Sequence, residues 1–156
     1  MQGALGVSLW SGGFASARAA TDERRTFAAY LDTLLPDDEL GPGALRLGVL
    51  EQIEAAAAHS AEYRRLVELG CAWLDEQAAF FGAKDFGALG ENERGRIVLL
   101  AAERDPGSLP RSFFDLTRDA AFRIYWAKPE AWAAIGYGGP PQPDGFLDYA
   151  LPPAKR

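Results

Sequence analysis

Apolar residues recur along this chain at helical spacing, and no stretch sustains the period-two alternation of a half-buried strand. Phe27, Tyr30, Leu31, Leu34 and Leu35 fall at i, i+3, i+4, i+7 and i+8, one face of a helix that Pro36 stops. Thr21 reads as its N-cap, with Asp22 and Glu23 in the first turn, where the helix dipole favours acids. PDDELGPG is a dense turn signal. A second helix is expected over 44–58, with Leu47, Leu50 and Ile53 inward. Ser60 caps a third, whose face is Tyr63, Leu66, Val67, Gly70, Trp73, Leu74 and Phe81, and Gly82 ends it. Residues 82–90 read as a loop. A fourth helix is expected over 91–104 with Ile97, Leu100 and Ala101 inward. A fifth starts near Leu109 or Pro110, carries Phe113, Leu116, Thr117, Ala120, Ala121 and Ile124 inward, and ends before Pro129. The fold class is therefore all-α, a single bundle of about five helices. Residues 129–156, rich in Gly, Pro and aromatic rings, read as an extended strap that either wraps its own domain or reaches onto another chain.

Composition narrows the function. The formal net charge is −6, which disfavours nucleic acid, because phosphate binding needs clustered Lys and Arg. One cysteine, Cys71, makes no internal disulfide, and with one histidine, His59, it supplies neither a four-ligand zinc site nor an iron–sulfur cluster. Cys71, between Gly70 and Ala72, reads as a small core filler. His59, at a helix end with no nucleophile at a useful spacing, reads as exposed or capping. Asp37, Asp38 and Glu39 lack the alternating ligand spacing of a calcium loop and read as a solvated acidic turn. The glycines at 41–43 and 136–139 follow no strand and precede no Lys-Ser/Thr, so they are backbone devices and not phosphate loops. Trp126 and Trp132 flank Pro129, and each reads either as core or as an interface anchor.

Residues 3–17 carry no charge and run into Ala17-Arg18-Ala19, a small-x-small pattern. Too short and Gly-rich for a membrane span, the run reads as the h-region and cleavage site of an export signal, or else as an N-terminal arm. Residues 1–20 are accordingly set apart as a signal remnant, and 21–156, strap included, as one helical domain. Arg24-Arg25 mimics a twin-arginine pair. It is followed by Asp32, Asp37 and Asp38 and not by an uncharged run, which makes it part of an ordinary helix.

Two end motifs carry a family resemblance. Leu31, Asp32, Leu34, Leu35 and Pro36, the acidic turn, Gly41-Pro42-Gly43-Ala44, then Gly48 and Val49, resemble the opening of the gluconate 2-dehydrogenase subunit 3 family. Trp132, Ile135, Gly136, Tyr137, Gly139 and Pro140 resemble its closing signature, and FFDLTRDAAFRIYW resembles the helix leading to it. The chain carries Ala127-Lys128-Pro129-Glu130 where a Gly-Gly-Asn type loop is common in the family. The resemblance implies a non-catalytic small subunit holding no cofactor. Its expected partner is a large FAD-containing dehydrogenase of the glucose–methanol–choline class, often served by a cytochrome c subunit. It also implies a periplasmic complex peripheral to the inner membrane, exported by the twin-arginine route, with the small subunit supporting folding, stability and export of the large one. The residues expected to meet the partner are Asp37, Asp38, Gly41, Pro42, Gly43, Trp126, Trp132, Gly136, Tyr137, Gly139, Pro140 and Phe146. The competing readings are a stand-alone helical scaffold and an enzyme in its own right, the last disfavoured by the missing nucleophile–base and metal constellations.

Overall fold

The computed structural model describes residues 11–139, with side chains from Ala20 onward. Among them are six helices: α1 (Ser11–Leu34), α2 (Val49–Ala58), α3 (Ala61–Phe80), α4 (Glu91–Ala102), α5 (Leu109–Trp126) and the short α6 (Pro129–Trp132). Short 3-10 turns lie at Phe86–Ala88 and Ala133–Ile135. The described residues contain no strand, only an isolated bridge between Asp38 and Gly41. The all-α bundle is as expected from the periodicity.

Helices α1, α3 and α5 meet at the centre. Tyr30 of α1 lies 4.8 Å from Phe113 of α5, ring to ring, with Phe27 alongside. The Tyr30 hydroxyl lies 2.9 Å from Thr117 Oγ1, and Thr117 in turn donates to the Phe113 carbonyl at 2.6 Å. Both polar side chains are fully buried and satisfied, which a core tolerates only when each group has a partner. Leu31, Ile53, Leu74 and Ile97 fill the space around them. Ser60 caps α3 as expected, its hydroxyl accepting the Tyr63 amide N–H at 3.2 Å.

The structure corrects several expectations. The first helix begins at Ser11 and not at Thr21, which lies inside it; four alanines between 15 and 20 carry the helical backbone on. The described part of the run read as an export signal is therefore helix, while residues 3–10 lie outside the described residues. The second helix starts at Val49 and not at Ala44, because Gly48 takes φ 70°, a left-handed conformation open chiefly to glycine. Ahead of it, the Ala44 amide donates to the Leu35 carbonyl at 2.9 Å and folds residues 44–48 back over the end of α1 as a turn. The loop over 82–90 holds a core residue: Phe86 is fully buried. Asp75 Oδ1 fastens it by accepting the Phe86 amide at 2.9 Å and the Thr26 hydroxyl at 2.8 Å. Phe81 and Leu116, expected inward, are exposed, Leu116 at 53%. The strap also begins later than expected. Residues 129–135 are helical, since Pro129 opens α6 in its first turn instead of starting extended chain.

The Arg24-Arg25 pair belongs to the bundle. Arg24 donates to Glu54 at 2.7 Å and Glu51 at 3.1 Å, tying α1 to α2. Arg25 donates to the largely buried Asp85 at 2.6 Å and holds the 82–90 loop down.

Candidate interaction surface

The corner where α5 ends and α6 begins collects aromatic rings. Phe122 and Trp126, one turn apart on α5, are both part-exposed, Trp126 at 38%. The chain turns at Ala127 and Lys128, and α6 brings Trp132 back over the helix end. Its indole N–H donates to the Trp126 carbonyl at 2.9 Å, one of the acceptors that a helix C-terminus leaves unpaired. The Tyr137 amide donates to the Trp132 carbonyl at 3.0 Å, and the two rings meet edge to face, centroids 5.2 Å apart. Tyr125 and Trp126 form a second edge-to-face pair at 5.0 Å. Ala131 is buried and Trp132 half-buried against the core, while Tyr137 is 44% and Ile135 61% exposed. The corner is thus an apolar surface held in shape by two hydrogen bonds to backbone carbonyls and by edge-to-face ring pairs. Such surfaces mark contacts with another molecule more often than chance.

The acidic turn is built differently. Asp38 Oδ1 accepts the Leu40 amide at 2.8 Å and the Gly41 amide at 3.3 Å, so it is spent on the turn's own backbone. Asp37 pairs with Arg46 at 3.2 Å. Gly43 lies so close to the Pro36–Asp37 backbone that a Cβ would stand 2.5 Å from the Asp37 amide nitrogen. Pro42 and Gly43 are buried by this chain, and both shape the turn. Asp37, Asp38, Glu39 and Leu40 remain exposed. Gly136 is exposed and Gly139 packs against Trp132, so the structure brings Trp126, Trp132, Gly136, Tyr137 and Gly139 together. Pro140 and Phe146 lie outside the described residues. Phe122 and Ile135 were missed, although the i, i+4 spacing of Phe122 and Trp126 is a legible signal.

The remaining candidates are quiet. Cys71 is buried, and burial pushes its thiol well above its ordinary value, with Glu23 and Asp75 adding to the shift. His59 is exposed at the end of α2. Among the described residues no group of three or more His, Cys, Asp or Glu is placed to hold a metal ion. Nor is any described helix long and apolar enough to cross a membrane.

Fold and surface together define a small all-helical protein whose most constructed feature is an aromatic corner. Residues 21–139 match the family described as Gluconate 2-dehydrogenase subunit 3, and the chain belongs to that family. Its members are subunits of a dehydrogenase complex, so partner subunits go with membership. Comparison with curated proteins and with solved structures gave no significant match.

Proposed function

We propose that this chain is the non-catalytic small subunit of a periplasmic dehydrogenase complex. Its partner is a large FAD-containing subunit of the glucose–methanol–choline class, which a cytochrome c subunit accompanies. The small subunit supports the folding, stability and export of the flavoprotein, and the two leave the cytoplasm together by the twin-arginine route. The family supplies the complex. The observation that carries the docking role is the corner itself, where Trp132 is clamped on the Trp126 carbonyl and leaves Tyr137, Ile135 and Trp126 exposed.

Co-purification tests the reading. A tagged copy expressed in its native host should bring down a stoichiometric large protein with the absorbance of a bound flavin. Without this chain, that protein should fail to accumulate in the periplasm. A tagged copy that purifies alone, with normal export of the flavoprotein in its absence, refutes the reading and leaves a stand-alone scaffold.

A further inference from the structure

A pocket of about 370 Å³ opens between α1, α2 and α3. Phe27, Ile53 and Val67 give it an apolar lining, and Ala20 and Glu23 of α1 stand beside them. The carboxylates near Glu23 are committed: Asp22 pairs with Arg25, Glu54 with Arg24 and Glu68 with Arg65. Glu23 itself has no hydrogen bond or ion pair among the described residues, and Arg64, which also lines the pocket, is not bonded to it. Partial burial and the charge of Glu68 raise its carboxyl above the ordinary value, so the ionised form is unfavourable as it stands.

The sequence offers a cation for it. Ala17-Arg18-Ala19 carries the small-x-small pattern of a peptidase site, and the next residue is Ala20. Asp22 and Glu23 are acids of the kind a helix favours in its first turn, yet they stand about three turns inside α1. The family match likewise begins at residue 21. The ties of α1 described above, Arg24 on Glu54, Arg25 on Asp85 and Thr26 on Asp75, all come after Ala20. Unwinding and removing the residues before Ala20 breaks none of them. The acid of a capping box reaches back three residues to the backbone nitrogen of the capping residue. Glu23 stands in that relation to Ala20, and both line the one pocket.

We infer that Ala20 is the N-terminus of the mature chain and that its α-ammonium is the partner of Glu23. A signal peptidase adds water across the Ala19–Ala20 peptide bond, which leaves a carboxylate on Ala19 and an ammonium on Ala20. Processing thereby turns an unpaired carboxylate into the cap of the first helix. This pairing requires the export proposed above, and the experiment distinguishes failure of the one from failure of the other.

The chain recovered from the fractionated native host is compared with the full chain purified uncut, by N-terminal sequencing and thermal melts. The recovered chain should be periplasmic and begin at Ala20. At pH 7, Glu23→Gln should raise the melting temperature of the uncut chain slightly and lower that of the recovered chain by a few degrees, a reversal of sign. The loss should fade above about pH 8, where an α-ammonium gives up its proton while Arg24 and Arg64 keep their charge and Asp22, Glu54 and Glu68 keep theirs. A chain found only outside the periplasm, with Met1 in place, overturns both the pairing and the export. A periplasmic chain with another N-terminus overturns the pairing alone. So does one that begins at Ala20 and still melts higher as Glu23→Gln. A loss that persists in full at about pH 10 assigns Glu23 to the helix dipole and also overturns the pairing.

Discussion

The ring of Phe113 lies where a Cβ on Gly70 would have to stand. Gly70 is in the middle of α3, a position where glycine normally costs a helix about 1 kcal/mol relative to alanine. Here the missing side chain lets α3 and α5 approach until a ring from one fills the notch in the other. Gly70→Ala should therefore destabilise the protein despite better helix propensity, by about 1–3 kcal/mol, as overpacked cores do. In a thermal melt followed by circular dichroism this is a fall of several degrees. Phe113→Leu, costly alone, should cost less in the Gly70→Ala background, because it vacates the space. A melting temperature unchanged by Gly70→Ala would mean that the two helices do not meet here.

The order of donors at the centre of the core is fixed. Thr117 spends its proton on the Phe113 carbonyl, so the Tyr30 hydroxyl donates to Thr117 Oγ1. Tyr30→Phe should cost about 1 kcal/mol. Thr117→Val should cost more, about 1–3 kcal/mol, because it leaves a buried hydroxyl without an acceptor. The double variant should fall short of the sum, and denaturant titrations of the four proteins measure the coupling. Strict additivity would contradict the bond.

Tyr137 and Trp132 should separate by phenotype. Tyr137 is exposed and rests on Trp132, so Tyr137→Ala should leave the melting temperature within about a degree while weakening capture of the proposed flavoprotein partner about tenfold or more. Trp132 is half-buried and bonded to Trp126, so Trp132→Ala should lower both. Full capture by Tyr137→Ala would move the contact elsewhere, with the exposed Asp37–Leu40 turn next in line.

Glu23 gives a pH dependence with a definite sign. Partial burial, with the negative charge of Glu68 adding to it, raises its carboxyl above the ordinary 4.5. An acid raised in the folded state holds its proton more tightly there. Its contribution therefore favours folding at low pH and is lost as pH climbs through 4.5 and past the raised value. Glu23→Gln should melt higher than the parent at neutral pH, by a small margin because the group is part-exposed. The difference should close below about pH 4. A variant less stable at neutral pH would show that Glu23 makes a favourable contact that outweighs its repulsion from Glu68.

The helices were legible wherever one face repeats at 3.6 residues, as in Tyr30–Leu34 and Val67–Leu74, and where a short polar residue precedes the repeat, as Ser60 does. Phe86 was not legible. It sits among glycines in a stretch with no period, and what buries it is Asp75, eleven residues back, holding its amide. That is a tertiary contact without a local signature. The first turns of α1 were hidden by Gly12 and Gly13, which read as loop but ride on an alanine-rich continuation. Helix α6 was hidden by the Gly- and Pro-rich residues after it, although Pro129 followed by Glu130 is a helix start. Trp126 and Trp132 stood out by residue type. That one would clamp the other's carbonyl depends on a chain reversal at Ala127–Lys128, which no spacing rule encodes.

Trp132 packs against the core and also meets the ring of Tyr137. The shape of the outer face is therefore contingent on the state of the interior. If α5 frays or the core loosens, the Trp126 carbonyl moves, the clamp opens and Tyr137 loses its seat. A molecule that recognised this corner would thereby be reading a gauge of whether the bundle behind it has finished folding.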